Sequence, residues 1–482
     1  MNKPRLRPLV LLVCGLSLLQ GCAIPGIATR EPATTLPSAY GAAATGEQSA
    51  AAIRWNDFFV DPNLATLIDT ALTGNQEVNI LLQRLQRAAN EVEARRGEYL
   101  PFVGVGAAAD LDKVGEFTRS GAVERQLDVR EEEAFPEPLG NLGVGLTASW
   151  ELDVWHKLRN ATQVASLEYL ATAEGRHFVI TALVAEVAHD YYELMALDNQ
   201  LQNLDRNIEI QTNALQITRD LLTFGRTTSL AVARFEAEVN KNQSERFAIA
   251  QQIVAAENHL NLLLGRTPQP VQRSSDTLMT LQPPVVQAGV PSQLLANRPD
   301  IRRAELELAA AKLDIAVAKA NFYPSFAIRA GVGFEAFKSE YLLETPASLA
   351  YTAGVDMVAP LVNRRAIAAQ YKNASAAQVE AAYEYEQTLV RAFSEVSTKV
   401  AEIDNLARNY ALKTDQVAAL NTSVDVAGQL FTAARADYLE VLLAQREALE
   451  ARSELIETRQ RQMSAVVDLY RALGGGWQPA SH

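Results

Sequence analysis

The chain has 482 residues, a formal net charge of -13 and 48% hydrophobic residues. No Lys/Arg cluster stands beyond its first residues, which excludes nucleic acid as a partner, because phosphate contacts demand such clusters. The two cysteines, Cys14 and Cys22, both lie near the N-terminus, which excludes a disulfide framework for the body.

Lys3, Arg5 and Arg7 precede an apolar run, Leu9 to Leu19. That run is too short to span a bilayer, which needs ~20 residues, and reads as a secretion signal over 1–21. Leu19-Gln20-Gly21-Cys22 resembles a bacterial lipobox, although a small residue is commoner than Gln20. Cleavage there would leave Cys22 first, its sulfur carrying covalent lipid. The alternative is an ordinary signal peptide with an incidental cysteine. Ala23 permits sorting to the outer membrane, where an Asp would hold a lipoprotein at the inner one. Three acyl chains would anchor stably where one alone is marginal.

Residues 22–54 are the lipidated N-terminus and a tether, and the body is expected to begin near Trp55. The tether carries Ala, Thr, Gly, Pro and Ser with no apolar period. Leu64, Leu67, Ile68 and Ala71 predict a helix after Pro62, and a second helix runs from Glu77 to Tyr99. Val103, Val105, Ala107 and Ala109 alternate with small or polar residues, the period of a strand. After an acidic loop, Leu142, Val144, Leu146, Ala148 and Trp150 make a second strand. A helical period then holds from His156 to Leu222. Phe224-Gly225-Arg226 breaks it, and another helix runs from Leu230 to Leu264. His189 and Asp190, beside Tyr191-Tyr192, read as helix-face residues. The first leg is on the order of 90–100 Å long, too long to stand without an apolar stripe packed on neighbours.

Prolines between residues 266 and 298 mark a connection, and then the pattern returns. A helix opens at Arg298-Pro299-Asp300. Phe326 to Phe334 and Leu349 to Met357 alternate as third and fourth strands. A long helix reaches Leu430, Ala433-Ala434-Arg435-Ala436-Asp437 breaks it, and a last helix reaches Leu473. Gly225-Arg226 and Ala434-Arg435 stand 209 residues apart, as do Leu230 and Leu439, and Glu186 and Glu395. One offset held across both legs predicts a duplicated unit, 55–270 and 271–477, with a tail over 478–482.

Four strands of about 9–13 residues are long enough to cross a membrane. Lipid cannot satisfy a free sheet edge, and the smallest bacterial barrels use ~8 strands, so several copies must pool theirs. The alternative, a soluble sandwich edge, explains neither the helices nor the lipobox.

Trp55-Asn56-Asp57-Phe58-Phe59, Trp150-Glu151-Leu152-Asp153-Val154-Trp155, Phe224-Gly225-Arg226, Arg298-Pro299-Asp300-Ile301 and Ala436-Asp437-Tyr438-Leu439-Glu440-Val441-Leu442 together resemble the TolC-like outer-membrane efflux protein family. The resemblance is to its lipoprotein branch, which serves resistance-nodulation-division pumps. It implies a mainly α chain with membrane β, as a homotrimer. Twelve shared strands form an outer-membrane barrel, and the helices form a long periplasmic α-barrel. The exit duct would export drugs or other small molecules, joined to a periplasmic adaptor and an inner-membrane transporter. The outer component of a type I secretion system is an alternative, opposed by the lipobox. A periplasmic adaptor or coiled-coil scaffold lipoprotein is another, opposed by two hairpins with paired strands.

The resemblance also places the helix breaks at the periplasmic end. It makes Gly225, Arg226, Ser229 and Leu230, with Ala434, Arg435, Tyr438 and Leu439, candidates for adaptor docking; the alternative is that they only make turns. Glu440 matches an acid that often lines the closed aperture. Three copies at ~6–8 Å would repel by about 2–3 kcal/mol per pair and favour cations. Asp437 could join that ring or pair with Arg435. Leu443 and Ala231 stand where relatives carry further acids. Three departures bear on turn geometry: His156, Arg364-Arg365 and Ala434 replace glycines, which serve positive φ.

No HExxH, phosphate-cradling loop or soft-metal Met ladder occurs. An enzyme, a metal site and a cofactor other than the lipid on Cys22 are therefore not expected.

Overall fold

A computed structural model describes residues 24–40, 49–130, 133–433 and 435–477. Cys22 and Ala434 lie outside the described residues. Seven main helices and four main strands carry the fold. In chain order these are α1 (Pro62–Gly74), α2 (Gln76–Tyr99), β1 (Phe102–Asp112), β2 (Leu139–Leu152), α3 (Lys157–Thr223), α4 (Ser229–Leu263), α5 (Pro299–Ala320), β3 (Ser325–Ala336), β4 (Leu349–Val358), α6 (Arg365–Thr432) and α7 (Tyr438–Ala472). The duplication appears as matched lengths: α3 and α6 have 67 and 68 residues, and α4 and α7 have 35 each. The acidic loop after β1 is more ordered than its sequence suggests. It holds a short helix, Arg119–Glu124, and a small antiparallel pair, Asp128–Arg130 with Glu133–Ala134.

The chain divides into two compact units. One takes the described residues up to Glu31, Arg87–Tyr169 and Leu306–Ala382. Its centre is an antiparallel sheet in the order β1-β2-β3-β4. The registers Val103↔Ala148, Leu146↔Val332 and Ile328↔Val355 bring the odd-numbered residues of β1 and β4 and the even-numbered residues of β2 and β3 onto one face. That face is apolar throughout, because period-two alternation sends successive side chains to opposite sides. Val105, Leu146, Val332, Tyr351, Val355 and Met357 stand exposed on it. The other face is small and polar. Gly145 lies opposite Gly333, and a Cβ on Gly145 would sit 2.8 Å from the Gly333 Cα. Only a residue without a side chain fits that approach.

The other unit takes Pro32–Gln86, Leu170–Glu305 and the chain from Tyr383 on. Its core joins α1, the middle of α3, the end of α4 and α7 through Leu64, Ile68, Tyr191, Leu194, Met195, Leu260 and Tyr470. Asp61 caps α1, accepting from the Asn63 N–H at 2.8 Å, with Pro62 at the first helical position. Tyr191 donates to the other Asp61 oxygen at 2.7 Å, and Tyr470 stacks on Phe58 at 4.0 Å.

The expected body start near Trp55 is corrected. Tyr40, Ala50 and Ala51 are already buried, and residues 28–40 of the tether form a bonded strap. In the first unit the Ala28 carbonyl accepts from Ser375, and Gln378 bonds both the Arg30 N–H and carbonyl. In the second, the Ala33 N–H donates to Glu386, and Tyr40 stacks on Phe393.

Candidate functional site: sheet edges and helix tips

Two regions matter, one in each unit. In the first, β1 and β4 are the edges of the four-stranded sheet, and each has one strand neighbour. Eleven residues of β1 and ten of β4 therefore present a row of backbone donors and acceptors along their outer sides. A long, apolar, unprotected edge is a template for pairing with another strand. No described helix is long and apolar enough to cross a membrane.

In the second unit, α3 and α4 join through a tight tip. The Gly225 N–H donates to the Leu222 carbonyl at 3.0 Å and the Arg226 N–H to the Leu221 carbonyl at 2.9 Å. This pair of bonds closes a helix through a left-handed residue, here Gly225 with φ +65. Thr228 then caps α4 at Ala231 N. At the second tip the Arg435 N–H donates to the Leu430 carbonyl at 2.8 Å, the counterpart of the Arg226 bond at the same offset. The two tips share a small apolar core of Leu215, Phe235 and Val239, against which Tyr438 and Leu442 pack. The ring centroids of Phe235 and Tyr438 are 6.4 Å apart.

Gly225, Arg226, Ser229, Leu230, Arg435, Leu439 and Glu440 are exposed around that core, and Tyr438 is half-buried. Asp437 occupies the N-cap of α7 without a side-chain cap bond. No ion pair to Arg435 is formed among the described residues. Phe224, read from the sequence only as part of the helix break, was not among the docking candidates, yet it is 77% exposed beside Gly225. Its signal was an aromatic placed directly before the glycine that ends a helix.

Charged groups brace the second unit. Arg298 is nearly buried and forks onto Asp300 at 2.7 and 3.0 Å. It also reaches Glu395 at 2.9 Å and the Ala472 carbonyl at 2.6 Å. That arrangement explains the Arg-Pro-Asp run: the proline opens α5 while the arginine ties three chain segments together. His189 and Asp190 lie on α3, His189 half-buried and Asp190 buried. His189 bonds Asp468 at 3.0 Å, and Asp190 is buried against His259 at 2.7 Å. Burial opposes the charge on Asp468, yet His189 and Lys399 prevail and hold its carboxyl at about 2. Burial raises Asp190, against the bond from His259 alone. Arg273, bonded to Asp198 at 2.6 Å and Glu257 at 2.6 Å, fastens the proline-rich connection to α3 and α4. Among the described residues no three His, Cys, Asp or Glu side chains gather as a metal-binding group.

Comparison with known proteins bears on both regions. The sequence profile of the outer membrane efflux protein family matches residues 67–266 and 290–475. The pyoverdine export outer membrane protein OpmQ of Pseudomonas aeruginosa is 28% identical over 96% of this chain and 97% of its own. The cation efflux system protein CusC of Escherichia coli is 28% identical over 96% and 98%. A crystal structure of CusC, described in terms of folding and transmembrane channel formation, superposes with a TM-score of 0.79 at 25% identity, covering 93% of this chain and 99% of that one.

Proposed function

The chain belongs to the outer membrane efflux protein family, and from that premise we propose that three copies close one twelve-strand barrel as the exit duct of a tripartite efflux pump. One observation carries the reading: a sheet with a wholly apolar face and two long unpaired edges. In water that face would aggregate, and in lipid the edges would cost several kcal/mol per unpaired group. Closure by further copies of the sheet removes both problems together.

The remaining roles follow from this assignment. Lipid on Cys22 anchors the mature N-terminus in the outer membrane. The tips around Phe224, Gly225, Arg226, Ser229, Leu230, Arg435, Tyr438 and Leu439, with Ala434, receive a periplasmic adaptor. The adaptor joins the duct to an inner-membrane transporter of the resistance-nodulation-division type. Glu440, exposed in the first turn of α7, forms a threefold carboxylate ring at the periplasmic aperture, with Asp437 one turn away. Cargo is small molecules handed over by the transporter, and nothing is transformed on the way.

Purified mature protein in planar bilayers tests the duct. Discrete conductance is expected, together with an oligomer on unheated gels that collapses to monomer on boiling. Glu440→Ala should weaken block by divalent cations. A monomer in mild detergent, or no conductance, overturns the duct; unchanged block removes Glu440 from the aperture.

A further inference from the structure

Four amide side chains sit deep between α3, α4 and α7. Asn207 and Gln211 on α3, Asn242 on α4 and Gln445 on α7 are 7%, 0%, 1% and 7% exposed. Contacts on either side place them at one level. Away from the tips, the Asn203 amide on α3 reaches the Leu449 carbonyl at 3.5 Å and the Ser453 hydroxyl at 3.4 Å, both on α7. Towards the tips, Tyr438 and Leu442 pack on Leu215, Phe235 and Val239. Asn207 and Gln211 lie between those contacts on α3, and Gln445 lies between them on α7. Among the described residues one hydrogen bond joins the four, from Asn242 to Gln211 at 2.7 Å. Asn207 Nδ2, Gln211 Nε2 and Gln445 Oε1 are buried without a partner.

A buried amide left unmatched costs more than a neutral hydrogen bond returns, so the layer lowers stability. A hairpin does not need it either. At the 209-residue offset Asn207, Gln211 and Asn242 become Gln416, Leu420 and Ala451, and the second hairpin forms all the same. What the rest of the seam lacks is a mark of position. α7 buries Val441, Ala444, Ala448, Ala451 and Leu455, and alanines three and four residues apart still meet small partners after a slip of one turn. The duplication offers another arrangement. Phe235 meets Tyr438, whereas its counterpart at the offset is Ala444. The hairpins therefore meet out of step by about six residues, or ~9 Å along the helices. Apolar burial is non-directional and chooses only weakly between such registers. The amides choose strongly. A one-turn slip of Gln445 towards the tips carries its amide onto Leu215 and Phe235, where no donor can reach it.

From these observations we infer that the amide layer is a register lock. It seats α7 at one position along α3 and α4, and it lowers stability in doing so. A single buried amide fixes register in coiled coils in the same way. Gln445 stands five residues from Glu440, about 7–8 Å along α7. The lock therefore also sets where Glu440 stands beside the first tip. That consequence for the aperture rests on the duct reading above; the lock itself does not.

Distances between spin labels test the lock. Glu209→Cys on α3 and Glu447→Cys on α7, both exposed, carry the labels, and labelled chains are diluted among unlabelled ones. The same pair with Cys22→Ser shows that no label on Cys22 contributes. The parent should give one narrow distance. The fourfold variant Asn207→Leu, Gln211→Met, Asn242→Leu and Gln445→Met should melt at or above the parental temperature. Its distances should spread or gain a second population, displaced by about 5 Å or more, one helical turn. Gln445→Met alone should spread them part of the way. If the fourfold variant does not fold, Gln445→Met decides by the same readout. A single parental distance in these variants, with or without lost stability, overturns the inference, as does a broad distance in the parent. The labels report the lock whatever the conductance of the parent, so a failed duct and a failed lock are told apart.

Discussion

His189 and Asp190 are consecutive on α3, yet the two carboxyls in their pairs, Asp468 and Asp190, are shifted in opposite directions. The reason is the number of donors around each. Asp468 accepts from His189 at 3.0 Å and Lys399 at 2.9 Å, with Arg471 at 3.6 Å. Asp190 has His259 alone within hydrogen-bond reach, and burial wins. A carboxyl lowered by folding gives stability that is present above its unfolded pKa and lost as pH falls through the folded one. For Asp468 that window runs from near pH 4 down to about 2. That depression corresponds to roughly 2 kcal/mol, and the Asp468 side chain is exposed too little for solvent to erase it. Asp468→Asn should therefore be about 2 kcal/mol less stable than the parent at pH 7, and the difference should shrink towards pH 2. Denaturant melts in detergent across that range check it, and parallel curves at every pH would remove the ion pair from the account. Asp190 works in the opposite sense, since a raised carboxyl favours the fold as pH falls. None of this was legible in the sequence. An apolar period places a residue on a helix, but its charged partners lie some 70 to 280 residues away.

At the level of elements, legibility followed periodicity. All four strands and all seven helices announce themselves by period two or by a helical stripe, because each buries one face against something regular. The strap from Ala28 to Tyr40 announces nothing, because its docking uses backbone groups. Gln378, nearly fully buried, gives its amide N–H to the Arg30 carbonyl at 2.6 Å and takes the Arg30 N–H at 2.9 Å. It stands in for a neighbouring strand, and any residue at position 30 would offer the same two atoms. Losing both bonds should cost about 1–3 kcal/mol locally. Gln378→Ala is therefore expected to speed amide exchange over residues 28–33 by about tenfold or more, with the sheet unaffected. Exchange at the parental rate would mean that the strap is held elsewhere. The left-handed turns were half legible. The family resemblance implies glycines there, and the departures at His156 and Arg364-Arg365 flagged the right passages. The strained residue of the second proved to be Asn363, a side chain that tolerates that region better than most.

For the whole molecule, what matters is which face of the sheet meets lipid. Val332 and Tyr351 are paired on the apolar face, and Gly331 and Thr352 are paired on the small, polar one. The two pairs are adjacent rungs near mid-strand, so they share a depth and differ in side. An arginine on the lipid face of a barrel costs about 2–4 kcal/mol near the midplane, whereas lumen positions tune selectivity instead. In a trimer the penalty recurs once per protomer. Val332→Arg should therefore abolish the heat-sensitive oligomer and the conductance. Thr352→Arg should leave the oligomer intact and lower its preference for cations, because the strands' polar face otherwise carries Asp110, Asp112, Glu151, Glu335 and Asp356 against Arg329 alone, and Arg329 is tied to Asp356 at 2.9 Å. Gel mobility before and after heating, with reversal potentials in a salt gradient, separates these outcomes. If Val332→Arg assembles normally while Thr352→Arg does not, the sheet closes with its apolar face inward and cannot be the wall of a lipid-embedded duct.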